Sequence, residues 1–242
     1  MHLRNEVALP NPAKHQHVID EYRFVNVLAG TLSDGTTGSK VIWYDERTGR
    51  ASSSITICRP DGVMATVEGA TVTAIRCGLL AALALESVFE VGEVGRVGIR
   101  GYGRLGQAIH DVLMDLTPHR IQPIYSPRQS AITPPLNAFD ALITATSLRY
   151  DPPLEFDPLA RTRAYIAFDS ALSLGPSFRE RTITHSDHPE QLLAHWGDEF
   201  PGETPPVVHP LLEPVGEGPV SYYCFGVAVA DLVVARGLLW NE

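Results

Sequence analysis

The amino-acid sequence predicts an α/β protein in which a Rossmann-type doubly wound parallel sheet is joined to a smaller α+β lobe. Three observations carry this prediction. Gly101, Gly103 and Gly106 stand at G-x-G-x-x-G spacing between an apolar run, Val94 to Arg100, and an amphipathic helical pattern that ends at Leu116. Beyond them, apolar strand patterns recur at 120–125, 138–145, 164–168 and 182–185, the alternation that builds a mostly parallel sheet. Ahead of them lie three strand patterns joined by tight turns, which belong in a separate, antiparallel lobe because parallel strands need crossover connections.

Taken in order, 1–38 is interrupted by Pro10, Pro12, Gly30, Gly35 and Gly38 and yields no periodic element. Val41 to Asp45, Ala51 to Cys58 and Val63 to Glu68 form the meander, with turns at Arg47-Thr48-Gly49-Arg50 and Pro60-Asp61-Gly62. Thr71 to Phe89 is a buried helix, apolar almost all round, with Arg76 and Glu86 as its only charges. An arginine on such a helix either pairs internally or reaches a cleft. The helix after the glycines places Leu105, Ala108, Ile109, Val112, Leu113 and Leu116 on one face. Asp187 to Glu190 has the form of a capping box, with Pro189 in the first turn of a short helix through His195. From Gly197 to Pro219 the chain reads as a surface connection, and Phe225 to Trp240 as an apolar helix that carries Asp231 and Arg236 and returns to the first lobe. Domain bounds of 1–70 with 221–242, and 71–220, follow.

Composition narrows the partners. The chain has 242 residues, 44% of them hydrophobic, and a formal charge of −9. It is large enough for a sizeable core, and its charge disfavours a nucleic-acid backbone or an anionic membrane surface. The opening residues lack the apolar core of a leader, and Cys77 to Leu85, the most apolar run, is too short to span a bilayer, so a cytoplasmic setting is expected. Cys58, Cys77 and Cys224 are odd in number and far apart, which argues against a disulfide framework or a C-x-x-C metal site. His185, Asp187, His188 and His195 match no ligand spacing, so no metal is expected, and the absence of G-x-S-x-G leaves a serine hydrolase unsupported.

The glycine motif has specific chemistry. Gly101 allows the tight turn, Gly103 lets backbone approach a pyrophosphate, and Gly106 lets helix and strand pack closely. With Arg104 and Leu105 they begin a helix whose free N–H groups and dipole attract an anion. A site for NAD usually places a carboxylate at the end of the second strand to bind the ribose 2′-hydroxyl. Here the strand ends Tyr125-Ser126-Pro127-Arg128. Ser126 and Arg128 suit a 2′-phosphate, so NADP(H) is expected over NAD(H).

The order of motifs resembles the ornithine cyclodeaminase and mu-crystallin family from about Gly38 to the C-terminus. The residues that carry the resemblance are Thr73-Ala74-Ile75-Arg76-Cys77-Gly78, the run Val97-Gly98-Ile99-Arg100-Gly101-Tyr102-Gly103-Arg104-Leu105-Gly106, then Ile143 to Ser147, and Phe225 to Leu232. The resemblance implies a Rossmann domain, a substrate and dimerisation lobe completed by the C-terminal helix, a homodimer, and NAD(P)-linked chemistry at the α-carbon of small imino or amino acids. It gives Arg76 the substrate carboxylate and makes Lys40 the active-site lysine that opens a strand after glycine. Thr144, Ala145 and Thr146 become the strand-end turn against the cofactor, and Phe225, Gly226 and Val227 the segment near the nicotinamide.

Two departures separate the chain from the cyclodeaminases of that family. The loop that carries their catalytic aspartate corresponds here to 169–176, where Leu172 falls near the aspartate's place and Asp169 is a reserve acid or base. The N-terminal part is also shorter than the family's. The leading expectation is an NADP(H)-dependent imine reductase or amino-acid dehydrogenase. A catalytically inactive NADP(H)-binding protein and an NAD-dependent cyclodeaminase of the ornithine or lysine type remain as alternatives.

Overall fold

A computed structural model describes residues 14–45, 47–90, 95–116, 120–124, 138–146, 153–169 and 173–240. The chain divides into two compact units, Met1–Arg76 with Gly226–Glu242, and Cys77–Phe225.

The first unit is an antiparallel meander of β1 (His15–Val18), β2 (Arg23–Thr31), β3 (Thr37–Asp45), β4 (Arg50–Cys58) and β5 (Met64–Glu68), in that spatial order. Helix α1 (Gly69–Val88) starts in this unit and continues into the second, while α4 (Ala228–Trp240) packs on β2, β3 and β4. Two strands thus occupy 15–31, where the sequence shows no periodic element, and β3 begins at Thr37 rather than Val41. The glycines that look like interruptions are packing requirements. Gly30 faces Gly38 across the β2–β3 ladder. A Cβ on Gly38 would lie 2.5 Å from Leu232 Cδ2 and 2.5 Å from Thr56 O, so a bare backbone lets α4 lie down on the sheet. The junction into α1 is closed by Glu68, whose carboxylate accepts from Ala70 N at 2.8 Å and Thr71 N at 2.7 Å. Negative charge at those N–H groups starts the helix at Gly69, two residues earlier than its apolar pattern does. Helix α1 is also longer than its most apolar run, and by length and composition alone it could cross a membrane. Leu80, Ala81, Ala84 and Leu85 along it are fully buried inside the protein, as in a core helix.

The second unit is built on seven parallel strands, β6 (Arg96–Arg100), β7 (Arg120–Ile124), β8 (Ala141–Thr144), β9 (Ala164–Ala167), β10 (Ile183–Ser186), β11 (Val208–Pro210) and β12 (Val220–Tyr223). Their spatial order is β11-β10-β12-β9-β8-β6-β7, every pair parallel. Strands β8, β9 and β12 are buried throughout, which explains their uninterrupted apolar runs. Helix α2 (Arg104–Leu116) follows β6 and buries Gly106, Ile109 and Leu113. Phe139, Tyr165, Phe178, Trp196 and Tyr223 belong to one buried cluster.

Helix α3 (Pro189–Glu199) corrects the capping-box reading: its N-cap is His188, whose Nδ1 accepts from Gln191 N at 3.2 Å, and it runs four residues past His195. Asp187 is engaged elsewhere, accepting from Phe225 N at 2.9 Å. The 197–219 connection contains β11, an edge strand on which Pro210 is tolerated because no neighbour needs its missing N–H. The last helix begins at Ala228 rather than Phe225.

Candidate functional site

In the second unit, β6 pairs with β7 on one side and β8 on the other. The chain leaves β6 through α2 to β7 and later returns to the opposite side of β6, which makes the carboxyl ends of β6 and β8 the switch point where ligands of such sheets bind. The glycine motif lies there. Gly101 has φ +90°, and a Cβ on it would lie 2.5 Å from Ala145 O and 2.8 Å from Thr146 Cγ2. A Cβ on Gly106 would fall 2.0 Å from Gly101 O, so each of these two glycines is demanded by a backbone. Gly103 differs: nothing lies within 4 Å of where its Cβ would be. Its side chain is not excluded by protein, and an open backbone at the start of α2, beside Arg104 and Leu105, fits a pyrophosphate.

The facing wall is the Thr144–Ala145–Thr146 turn. Ala145 N donates to Arg100 O at 2.8 Å, which continues the β6–β8 ladder by one residue. Asp169, two residues beyond β9, reaches back to this turn. Its Oδ1 accepts from Thr144 Oγ1 at 2.8 Å, and its Oδ2 accepts from both Thr146 N and Thr146 Oγ1 at 2.8 Å. Phe225 closes the second unit, held through its N–H by Asp187. Ser126 and Arg128, the expected 2′-phosphate ligands, lie outside the described residues.

The first unit holds a buried charge cluster. Lys40 lies between Leu28 and Ile55 in the ladder, 3% exposed, and its Nζ donates to Asp231 Oδ1 and Oδ2 at 3.1 and 3.0 Å and to Thr73 Oγ1. Arg76, one turn beyond Thr73 on α1, places Nε 3.0 Å from Asp231 Oδ1. Of the two possibilities for an arginine on an apolar helix, an internal pair is present. Gly226 carries φ +87°, and a Cβ there would lie 2.7 to 2.9 Å from Nη1, Nη2 and Cζ of Arg76. The guanidinium therefore rests against bare backbone, and only glycine fits. Lys40, Arg76 and Gly226 are thus gathered in one unit, while Gly101 to Gly106, Thr144 to Thr146, Asp169 and Phe225 belong to the other.

Asp231, 1% exposed, is the residue that sequence reasoning left without a role. Its signal was present: an acid in the first turn of an apolar helix, the same anomaly that singles out Arg76. Among the described residues no group of three or more His, Cys, Asp and Glu is placed to hold a metal. His185 Nδ1 lies 2.9 Å from Pro210 O.

The fold and the crevice define a class: a Rossmann-type α/β protein with a second, antiparallel unit. No family model and no curated protein matches the sequence. Solved structures share the fold along nearly the whole chain. The Δ1-pyrroline-2-carboxylate reductase of Thermococcus litoralis, solved with NADH and L-proline, aligns with a TM-score of 0.67 at 16% identity, over 93% of this chain and 84% of that one. A probable ornithine cyclodeaminase from Bordetella pertussis Tohama I gives a TM-score of 0.71 at 20% identity, over 92% and 82%. The iminosuccinate reductase of Paracoccus denitrificans, solved with NAD+, gives 0.71 at 16%, over 95% and 84%. The fold expected from the sequence is the fold of these structures.

Proposed function

We propose that the protein is an NAD(P)H-dependent oxidoreductase of the ornithine cyclodeaminase and mu-crystallin family, acting on the C–N bond of a small imino or amino acid. The observation that carries this reading is the grouping of Arg76 and Lys40 on one buried carboxylate, in a chain whose other unit has an open-backed glycine crevice. The N–H groups at Gly103, Arg104 and Leu105 hold the pyrophosphate, with Thr144 to Thr146 as the opposite wall. When bound, the nicotinamide supplies a hydride to the substrate α-carbon or accepts one from it. Arg76 grips the substrate carboxylate, the ligand its planar fork suits best. Lys40 assists that grip and relays the proton that the imine nitrogen gains as the carbon is reduced, while Asp231 and Thr73 fix its Nζ. Ser126 and Arg128 receive a 2′-phosphate, so NADP(H) is preferred. The protein works as a homodimer, and exposed Val18 and Met64 on the edge strands β1 and β5 are surface that a partner would cover.

The test is NADPH oxidation with cyclic imino acids and with pairs of an α-keto acid and an amine. Turnover with either supports the reading. Dinucleotide binding without turnover favours a binding protein, for which the engagement of Asp169 by Thr144 and Thr146 is the supporting observation. Ammonia release from ornithine or lysine without net cofactor change identifies a cyclodeaminase.

A further inference from the structure

We infer that Asp169 is a positioning residue, a latch that holds the Thr144–Thr146 wall of the dinucleotide crevice in place, and not the acid or base of the reaction. The inference rests on the crevice reading above. Its basis is the use of both carboxylate oxygens. Oδ1 takes the Thr144 hydroxyl, and Oδ2 takes both the backbone N–H and the hydroxyl of Thr146, all at 2.8 Å. Thr144 is fully buried, and its hydroxyl lies at 3.1 Å from Ser173 Oγ as well as at 2.8 Å from Asp169, the shorter of the two contacts. Thr146 lies past the last rung of the ladder, and its N–H has left the sheet. It donates to Asp169 instead of to a strand neighbour.

What the latch holds is the surface against which the glycine motif is packed. The carbonyl of Ala145 and Thr146 Cγ2 are nearest to the missing side chain of Gly101, and Gly101 O is in turn the atom that excludes a side chain from Gly106. The three turns are stacked in contact: Thr144–Thr146 on Gly101, and Gly101 on the first turn of α2. A shift of the outer turn by a few tenths of an ångström passes to the N–H groups that face the pyrophosphate, because hydrogen bonding to an anion is steep in distance and angle. Asp169, one strand further on, therefore acts on dinucleotide affinity through the threonines and has no need to touch the reacting atoms.

The test is fluorescence titration of NADH and NADPH with the full-length protein and its variants. Asp169→Asn puts an amide N–H where one of the three donors points, and is expected to weaken dinucleotide binding about tenfold while leaving the far-UV circular dichroism unchanged. Thr146→Ser keeps the hydroxyl that Asp169 accepts from and should weaken binding less than Thr146→Val does. Thr146→Val removes it and should weaken binding about three- to fivefold, with little further loss when combined with Asp169→Asn, because the two changes break the same contact. Unchanged affinity in Asp169→Asn overturns the inference. So does a fall in kcat at saturating dinucleotide with loss of one limb of the pH–rate profile, the signature of an acid or base. If Asp169→Asn does not fold, the Thr146 pair decides alone. If the unaltered protein binds neither dinucleotide, the crevice reading fails and the latch fails with it; if it binds dinucleotide and reduces no imine, only the substrate reading fails and the variants' affinities still judge the latch.

Discussion

Asp231 holds Lys40 through both of its carboxylate oxygens, at 3.1 and 3.0 Å, from a helix at the opposite end of the chain. The lysine comes from the middle of β3 and the aspartate from the first turn of α4, and both are almost completely buried. Removing the anion alone leaves two cations, Lys40 and Arg76, without the carboxylate that both contact. Asp231→Ala should therefore destabilise the first unit by about 3–5 kcal/mol, and combining it with Lys40→Met should recover part of that loss. Urea unfolding of the single and double variants measures both. Equal stability of Asp231→Ala and the unaltered protein would show that the pair is not coupled to folding.

Gly226 tests the role of Arg76 without touching its charge. Gly226→Ala places a Cβ 2.7 to 2.9 Å from the guanidinium and strains a φ of +87°, so the head of Arg76 must move. Arg76→Ala is expected to lower kcat/KM by about two to three orders of magnitude, and Gly226→Ala should reproduce most of the rise in KM. Dinucleotide affinity should be preserved in Arg76→Ala. Steady-state kinetics beside a fluorescence titration separate these quantities.

Gly103 and Gly106 should fail in different ways. A Cβ at Gly106 meets Gly101 O at 2.0 Å, so Gly106→Ala should lower the melting temperature of the dinucleotide-free protein. Gly103 has open space around its missing Cβ. Gly103→Ala should leave melting within about a degree or two, given the small cost of an uncrowded surface change, and yet weaken NADPH binding, because the methyl occupies room for the pyrophosphate. Identical behaviour of the two variants would contradict a crevice at this point.

His185 links stability to acid. It is 1% exposed in β10, with ring centroids of His209 and Tyr222 at 5.4 and 5.3 Å on the neighbouring strands β11 and β12. Burial holds its imidazole below the ordinary histidine value of 6.5. The folded protein thus binds this proton more weakly than the unfolded chain does. Its contribution is whole above about pH 6.5 and is lost as the pH falls below that value. Unfolding midpoints taken between pH 7 and pH 5 should decline, and His185→Asn should flatten that part of the decline. An unaltered slope in the variant would assign the acid sensitivity to another group.

Cofactor choice turns on Ser126 and Arg128. A charge-assisted contact to a 2′-phosphate contributes about 1.5–3 kcal/mol, so NADPH should bind at least about tenfold tighter than NADH. Ser126→Asp with Arg128→Ala should reverse the order, since the carboxylate accepts from a ribose hydroxyl and repels the phosphate. Parallel titrations with both dinucleotides give the answer. Equal affinities would mean that this strand end does not face the ribose.

The sequence by itself determined the elements whose causes are local. The glycine spacing and the apolar stripe from Leu105 to Leu116 define α2 and its approach from β6, because turn geometry and helical period act over a few residues. Fully buried strands such as β8 and β9 announce themselves as apolar runs for the same reason. Arg76 could be singled out because a charge on an apolar helix is anomalous wherever the helix goes. Tertiary structure decided what depends on a partner distant in the chain. Gly30 and Gly38 look like breaks until α4 lies on them, and only then do β2 and β3 become continuous strands. Asp187 has the form of a cap, but Phe225 N takes its carboxylate and His188 caps α3 instead. The roles of Asp231 and Asp169 rest on hydrogen bonds made across the fold. A sequence pattern records which side chains can make such bonds, and only the folded chain places Lys40 before one and Thr146 before the other.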